Sequence, residues 1–507
     1  MQKIRSLKDL IESFKKENKL ALVINGNELT YDDIYKDVLC FALKIYKKSK
    51  GKKLNIGISS NDPYENIISI LACVYAGSIP MPMPNLNLIL KDQSLSEEFK
   101  VRLLIVSKTQ KKQIIENIEI VKFSLSSISF KDIQNNMVKK KININDTASI
   151  LLTSGTTGIK KGVMLSHINL MKTSKYINNF MRINKNIIEY LMVPVTNSFG
   201  FARLRCIFLK KGCLVIDSGL FNPLLMLKRC EKYKINSISG VPSTFAMLIS
   251  LPLNFLKNIR KNLIWAETGG APMQTKHKIK LLKLFPIQKI VMIYGLTEAS
   301  TSTFINLRKE FKKIETIGKP SPGINIEICD KNKKIIKKKN TVGEIVIKGC
   351  NVAKGYCNLL SENFINGKFY SGDLGSIDKD GYIYFHGRKD EMVNVGGLKI
   401  SPIVLEDIIN RKMPLECEFA IYASPYKHNI HGQVVGLFLK KKINLKNKLT
   451  KINNLLFLNG VPKEAKIRDI IYVRSFPKTS SGKVKRNYLK YHAVNRKKNT
   501  YANIPKQ

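Results

Sequence analysis

From residue 20 to residue 293 the chain repeatedly follows a short apolar run with a longer amphipathic stretch, and this alternation restricts the fold more than any other feature. Runs at 20–24, 54–58, 103–106, 148–153, 214–216, 237–239 and 290–293 have strand length, and the segments between them carry helical spacing. Parallel strands need a crossover long enough to hold a helix, so such a pattern favours α/β sheets wound with helices on their faces. From residue 324 the texture changes. Short alternating runs at 324–329, 344–348 and 382–386, the last beside the turn Lys379-Asp380-Gly381, read as antiparallel hairpins. Beyond Asp390 a helix is expected at about 402–410 and strands at 419–422 and 434–439, joined by Lys-rich connections, which suits a small α+β unit. The expected division is residues 1–389, β-rich from about 320, and residues 390–507.

At 507 residues, with 44% hydrophobic and 8% aromatic side chains, the chain is too apolar to be disordered over most of its length. Lys and Arg number 86 against 38 Asp and Glu, a formal charge of +48. That excess runs through every segment and forms no single basic stripe with interleaved aromatics, so no nucleic-acid partner is expected. The nine cysteines include no CxxC pair and no zinc-ligand spacing; they read as scattered reduced thiols of a cytoplasmic protein. The start, MQKIRSLKDLIESFKKENK, is charged throughout and places Ile4, Leu7, Leu10, Ile11 and Phe14 at helical spacing, unlike a signal peptide. Residues 67–90 are uncharged, but Gly77, Pro80, Pro82 and Pro84 break any membrane-spanning helix there. A buried helix over 66–76, then a short strand and a loop, is expected, with no transmembrane segment.

The stretch richest in chemistry is Thr153-Ser154-Gly155-Thr156-Thr157-Gly158-Ile159-Lys160-Lys161-Gly162, directly after the apolar run 150–152. Glycines and hydroxyl residues on a turn leaving a strand let backbone N–H groups approach phosphate oxygens, and a lysine adds charge. The stretch does not fit the GxxxxGK[ST] pattern, and a solvated Ser/Thr/Gly turn fits the same local sequence.

In company, however, this stretch resembles the phosphate loop of the acyl-adenylate-forming superfamily, which holds acyl-CoA synthetases, firefly luciferase and peptide synthetase adenylation domains. Further motifs follow in that family's order. Gly269-Gly270-Ala271-Pro272 resembles the adenine-side loop, Tyr294-Gly295-Leu296-Thr297-Glu298 the YGxTE motif, and Gly343-Glu344-Ile345 with Gly355-Tyr356 the GE…GY block. Tyr370-Ser371-Gly372-Asp373 resembles the ribose motif, Gly387-Arg388-Lys389-Asp390 the hinge, and 477–483 (PKTSSGK) the terminal lysine motif. The resemblance implies a large N-terminal domain of two wound sheets plus a distorted β-barrel, with a small mobile α+β C-terminal domain.

It also implies a chemistry: ATP and Mg²⁺ activate a small carboxylic acid to acyl-AMP with release of pyrophosphate. The acyl group then passes to CoA or to the phosphopantetheine arm of a separate carrier protein. Under it Thr153, Ser154, Thr156, Thr157 and Lys161, with Gly155 and Gly158 leaving room, hold the β- and γ-phosphates. Glu298 is the natural Mg²⁺ ligand, since a hard cation prefers a carboxylate beside phosphate oxygens, and Thr297 meets the α-phosphate. Tyr294, beside Gly295, offers a ring face to adenine. Asp373 accepts from the ribose hydroxyls, a strong pairing because the acceptor is charged, and Arg388 reaches the ribose or a phosphate. Lys483 bridges the substrate carboxylate and the α-phosphate. Asp390 is the hinge about which the small domain turns between the two half-reactions. Gly396 and Gly397 then leave room for the pantetheine arm, and Lys399 meets a phosphate.

Two positions depart from the family. Lys160 stands where proline is usual. In Pro194-Val195-Thr196-Asn197-Ser198-Phe199-Gly200, Asn197 replaces the histidine of PxFHxxG, which puts its gating role in doubt and leaves Phe199 to supply the aromatic part. Arg203 and Arg205 follow at a two-residue spacing. In an extended segment both would face the acid pocket and bind a second carboxylate; at a helix start they would be surface charges. A non-catalytic nucleotide-binding homologue is the alternative of another class, disfavoured because Lys483, Glu298, Asp373 and the loop hydroxyls are all present.

Overall fold

The computed structural model describes residues 4–83, 94–110, 115, 117–125, 142–154, 160–395, 398–424, 433–441, 443, 448–478 and 484–492. Its largest sheet has nine strands among the described residues, in the order Lys319–Pro320, Ala299–Asn306, Lys289–Leu296, Trp265–Thr268, Ser237–Gly240, Ile188–Leu191, Cys213–Ile216, Leu20–Ile24 and Asn27–Thr30. Six, from Lys289–Leu296 to Leu20–Ile24, are parallel; one antiparallel pairing closes the Asn27–Thr30 flank and two in succession close the other. Leu22, Ile24, Trp265 and Val291 point into one core while Val23, Val215, Ala266 and Met292 point into another. Such a sheet is covered on both sides, which is why its strands read as near-continuous apolar runs.

A second sheet, Ile79–Pro82, Asn55–Ser59, Val101–Val106 and Glu119–Lys122, is wholly parallel. The helix Pro63–Tyr75 packs between it and the first core. Asp62 caps that helix and Pro63 opens it, so the uncharged run beyond is a buried helix that ends before the strand at Ile79. Among the described residues no helix is long and apolar enough to cross a membrane.

The β-rich part is an antiparallel sheet of Ile324–Cys329, Gly343–Gly349, Lys368–Ile377, Phe364–Ile365 and Ile383–Arg388, standing where the distorted barrel is expected. Its tie to the large sheet is backbone: Ile317 N–H donates to Ile383 O and Ile383 N–H to Gly318 O, each at 2.9 Å. Beyond it, Phe419–Ala423, Val435–Leu439 and Ile467–Tyr472 form a three-stranded sheet under the helices Pro402–Lys412 and Lys448–Leu458, with a core of its own around Ile409, Ile421, Leu437 and Ile452. Lys276 Nζ donates to Asn410 Oδ1 at 2.9 Å, and Arg411 pairs with Glu315, so the helix Pro402–Lys412 touches the larger part of the chain.

Candidate active site

The strand Thr147–Ser154 turns back on Lys160–Ser166 as an antiparallel pair, with Thr153 opposite Lys161 and Ser154 opposite Lys160. Thr153, Lys160 and Lys161 of the glycine-hydroxyl stretch thus lie on an antiparallel strand pair, while Gly155, Thr156, Thr157 and Gly158 lie outside the described residues. Backbone bonds from 353–357 stitch the hairpin to its surroundings. Met164 N–H donates to Gly355 O at 2.9 Å, Cys357 N–H to Gly162 O at 2.8 Å, and Ala353 N–H to Glu298 O at 2.8 Å. One short segment therefore fixes the phosphate hairpin against the Glu298 turn.

Thr297 and Glu298 occupy the turn between Lys289–Leu296 and Ala299–Asn306, where Leu296 faces Ala299. Gly295 is required just before it: a Cβ there would lie 2.4 Å from Thr301 N. Glu298 is only 8% exposed, and Tyr356 Oη donates to its Oε1 at 2.9 Å. Burial pushes its carboxyl above the ordinary value, while the Tyr356 hydroxyl, Lys161 and Arg388 act against that rise. The Lys161 ammonium lies 5.2 Å from the centre of the Tyr356 ring. A buried carboxylate with spare acceptor capacity beside a candidate phosphate site has the chemistry that would hold a hard divalent ion.

On the β-rich sheet Asp373 faces Arg388 across the Lys368–Ile377 and Ile383–Arg388 pair. Arg388 Nη1 donates to Asp373 Oδ1 at 3.0 Å and Tyr294 Oη to Asp373 Oδ2 at 2.7 Å. Burial works against the Arg388 charge, but Asp373 and then Asp390 hold the guanidinium protonated; Asp390 Oδ1 accepts from Arg388 Nε at 3.0 Å. Gly269, Gly270 and Ala271 follow the carboxyl end of the strand Trp265–Thr268, the side on which wound sheets bind ligands, and Gly270 takes φ +80°.

The acid-side residues lie at the start of one helix and along it. Asn197 is the N-cap of the helix Ser198–Leu209, its Oδ1 accepting from Gly200 N–H at 2.7 Å, and Phe199 packs partly buried against the core. Arg203 faces neither pocket nor solvent. It is fully buried, donates to Glu189 through Nε at 2.9 Å and Nη2 at 2.6 Å, to Glu267 Oε2 through Nη1 at 2.6 Å, and lies 4.9 Å from the Trp265 ring. The segment is helical, so residues two apart point to opposite sides. Arg205 accordingly faces the helix His167–Met181, also buried, and neither surface nor shared-pocket placement holds.

Of the terminal motif, Lys483 lies outside the described residues, as does Gly397, and Lys399 is exposed on the hairpin Val393–Val395/Leu398–Ile400. The flanks of the lysine loop are described. Lys478 bridges to Val484, and Lys485 N–H donates to Pro477 O at 2.7 Å, so the two flanks lie side by side. Burial, and after it the positive charge of Lys485, lower the pKa of Lys160. The foot of the lysine loop thus lies within electrostatic reach of the phosphate hairpin.

The AMP-binding enzyme family model matches residues 12–357. The chain belongs to that family. Oxalate–CoA ligase of Saccharomyces cerevisiae is 32% identical over 356 residues, spanning 68% of this chain and 63% of its own length. A 2-succinylbenzoate–CoA ligase of Staphylococcus epidermidis is 27% identical, spanning 95% of this chain and 97% of its own. Among solved structures, ATP-bound MatB from Rhodopseudomonas palustris superposes with a TM-score of 0.82 at 21% identity, over 96% of this chain and 98% of that one, and shares the fold.

In this AMP-binding enzyme the motifs gave no sign of three side-chain partners, Tyr356, Glu189 and Glu267. Tyr356 stood in the motif Gly355-Tyr356, yet nothing local tied its hydroxyl to Glu298. Glu189 and Glu267 were missed entirely; the only signal was that each interrupts an apolar strand run, and a buried carboxylate needs a cation.

Proposed function

We propose that this chain joins a carboxylic acid to AMP at the expense of ATP and then passes the acyl group to the thiol of CoA. In the first half-reaction a carboxylate oxygen attacks the α-phosphorus and the bond to pyrophosphate breaks. In the second, the thiol sulfur attacks the acyl carbon, AMP leaves, and the thiol proton passes to solvent. One observation carries the reading: Lys161, Tyr356 and Glu298 meet at the base of the phosphate hairpin, stitched there by 353–357.

In this reading Lys161 and the loop hydroxyls neutralise the triphosphate, so that an anionic acid can approach it. Asp373, oriented by Arg388 and Tyr294, accepts from the ribose hydroxyls. Glu298 holds a divalent cation of the Mg²⁺ kind, which supplies further charge neutralisation. Lys483 meets the carboxylate and α-phosphate, and the nearby Lys485 lies within electrostatic reach of Lys160. Residues 390–507 turn about Asp390 between the two steps, with Gly397 and Lys399 serving the second. The pocket contains no contribution from Arg203, whose charge is spent on Glu189 and Glu267.

The test is pyrophosphate release over a panel of mono- and dicarboxylic acids, with CoA omitted and then added. Release with one acid class, together with a CoA ester, is the expected result. Release without any ester would move the acceptor to a carrier protein, and no release with any acid would overturn the proposal.

A further inference from the structure

Arg205 is 3% exposed, yet no carboxylate among the described residues pairs with it. Its Nε donates to Ser174 Oγ at 3.3 Å, its guanidinium carbon lies 4.3 Å from the Phe201 ring centre, and its Nη1 has no partner. Arg203, on the opposite side of the same helix, is satisfied by two carboxylates. A lone cation taken out of water is costly unless a counter-charge joins it. Burial already weakens its hold on the proton, bringing its pKa down to about 10.

Arg205 lines a small cavity with Leu151, Thr173, Ser198, Ser300 and Asn351. Leu151 stands two residues before Thr153 and Ser300 two after Glu298, so the cavity adjoins the strands that lead into and out of the proposed nucleotide site. It is small, with room for a single compact occupant. The Thr173 hydroxyl is committed to Asn169 O at 2.6 Å, and Asn351 Nδ2 to Ser300 O and Ser302 Oγ, both at 3.0 Å. Arg205 Nη1 therefore remains the charged donor, and the Ser198 and Ser300 hydroxyls can rotate to assist it.

We propose that this cavity binds one compact inorganic monoanion of the halide class against Arg205, beside the strands that lead into and out of the proposed nucleotide site. Charge decides between an anion and a water. A water would serve Arg205 Nη1 and the unbonded Asn351 Oδ1 but leave the guanidinium without a counter-ion. The anion compensates it and ties the helices His167–Met181 and Ser198–Leu209 to the strands beside the site.

The test uses the full chain. Its thermal midpoint is measured in sodium chloride and in sodium gluconate at equal ionic strength, alongside Arg205→Met. Crystals grown in sodium bromide are measured at the bromine edge. The expected result is a midpoint several degrees higher in chloride, since a ligand bound only by the folded state stabilises it. That response should vanish in Arg205→Met, and an anomalous peak should lie within hydrogen-bond distance of Arg205 Nη1. If Arg205→Met does not fold, the bromide crystal decides alone. A cavity without an anomalous peak, holding only a water, overturns the proposal whatever the salts do.

Discussion

Glu267→Gln should make the chain more stable at high pH and leave it nearly unchanged at low pH. One guanidinium serves two carboxylates inside the protein, leaving a surplus negative charge. Glu189 takes two of Arg203's hydrogen bonds; Glu267 takes one and its Oε1 has no partner. Burial, aided by repulsion from Glu189 and opposed by Arg203, raises the Glu267 carboxyl from 4.5 to about 7. A folded value above the unfolded one means that folding favours the protonated form. The stability this lends is complete below the unfolded value and is lost as pH rises from there through about 7. With a tenfold change in proton affinity worth about 1.4 kcal/mol, the loss by pH 8 is roughly 3 kcal/mol. The amide cannot ionise but keeps an acceptor for Arg203 Nη1. Urea unfolding of both proteins from pH 5 to pH 8 should give curves that separate progressively, with the variant ahead at the alkaline end. Parallel curves, offset by the same amount at every pH, would refute the account of a surplus buried charge.

Arg203→Met should be the harsher change, since it strands two buried carboxylates; a loss of about 3–5 kcal/mol is expected in the same unfolding assay at pH 7. Tyr356→Phe removes a donor to a buried carboxylate, worth about 1.5–3 kcal/mol, so kcat/KM for pyrophosphate release should fall roughly tenfold to a hundredfold. Because that hydroxyl lowers the Glu298 pKa, the acid limb of the rate profile should also move to higher pH. Lys483→Ala should abolish acyl-AMP formation, read by pyrophosphate release, while the variant still converts chemically prepared acyl-AMP to the CoA ester.

How much of this was legible beforehand follows the reach of each interaction. Strands such as Leu20–Ile24 and Phe419–Ala423 announce themselves because alternation and run length are local. That Leu20–Ile24 lies beside Cys213–Ile216 is set by packing across almost two hundred residues and leaves no local trace. The phosphate hairpin and the Glu298 turn were each readable as motifs, but their meeting depends on backbone bonds from 353–357, which any sequence can supply. The arginines show the same limit from the other side. Asn197 before Ser198 is an ordinary helix start, and taking the cap at face value puts Arg203 and Arg205 on opposite sides of one helix. Whether either then met a carboxylate depended on Glu189 and Glu267, one on each of two strands flanking Ser237–Gly240. Local reading can thus set the direction of a charge but not its compensation. The two arginines share a helix and differ in that respect: Arg203's partners come from the sheet, and Arg205 meets no carboxylate among the described residues.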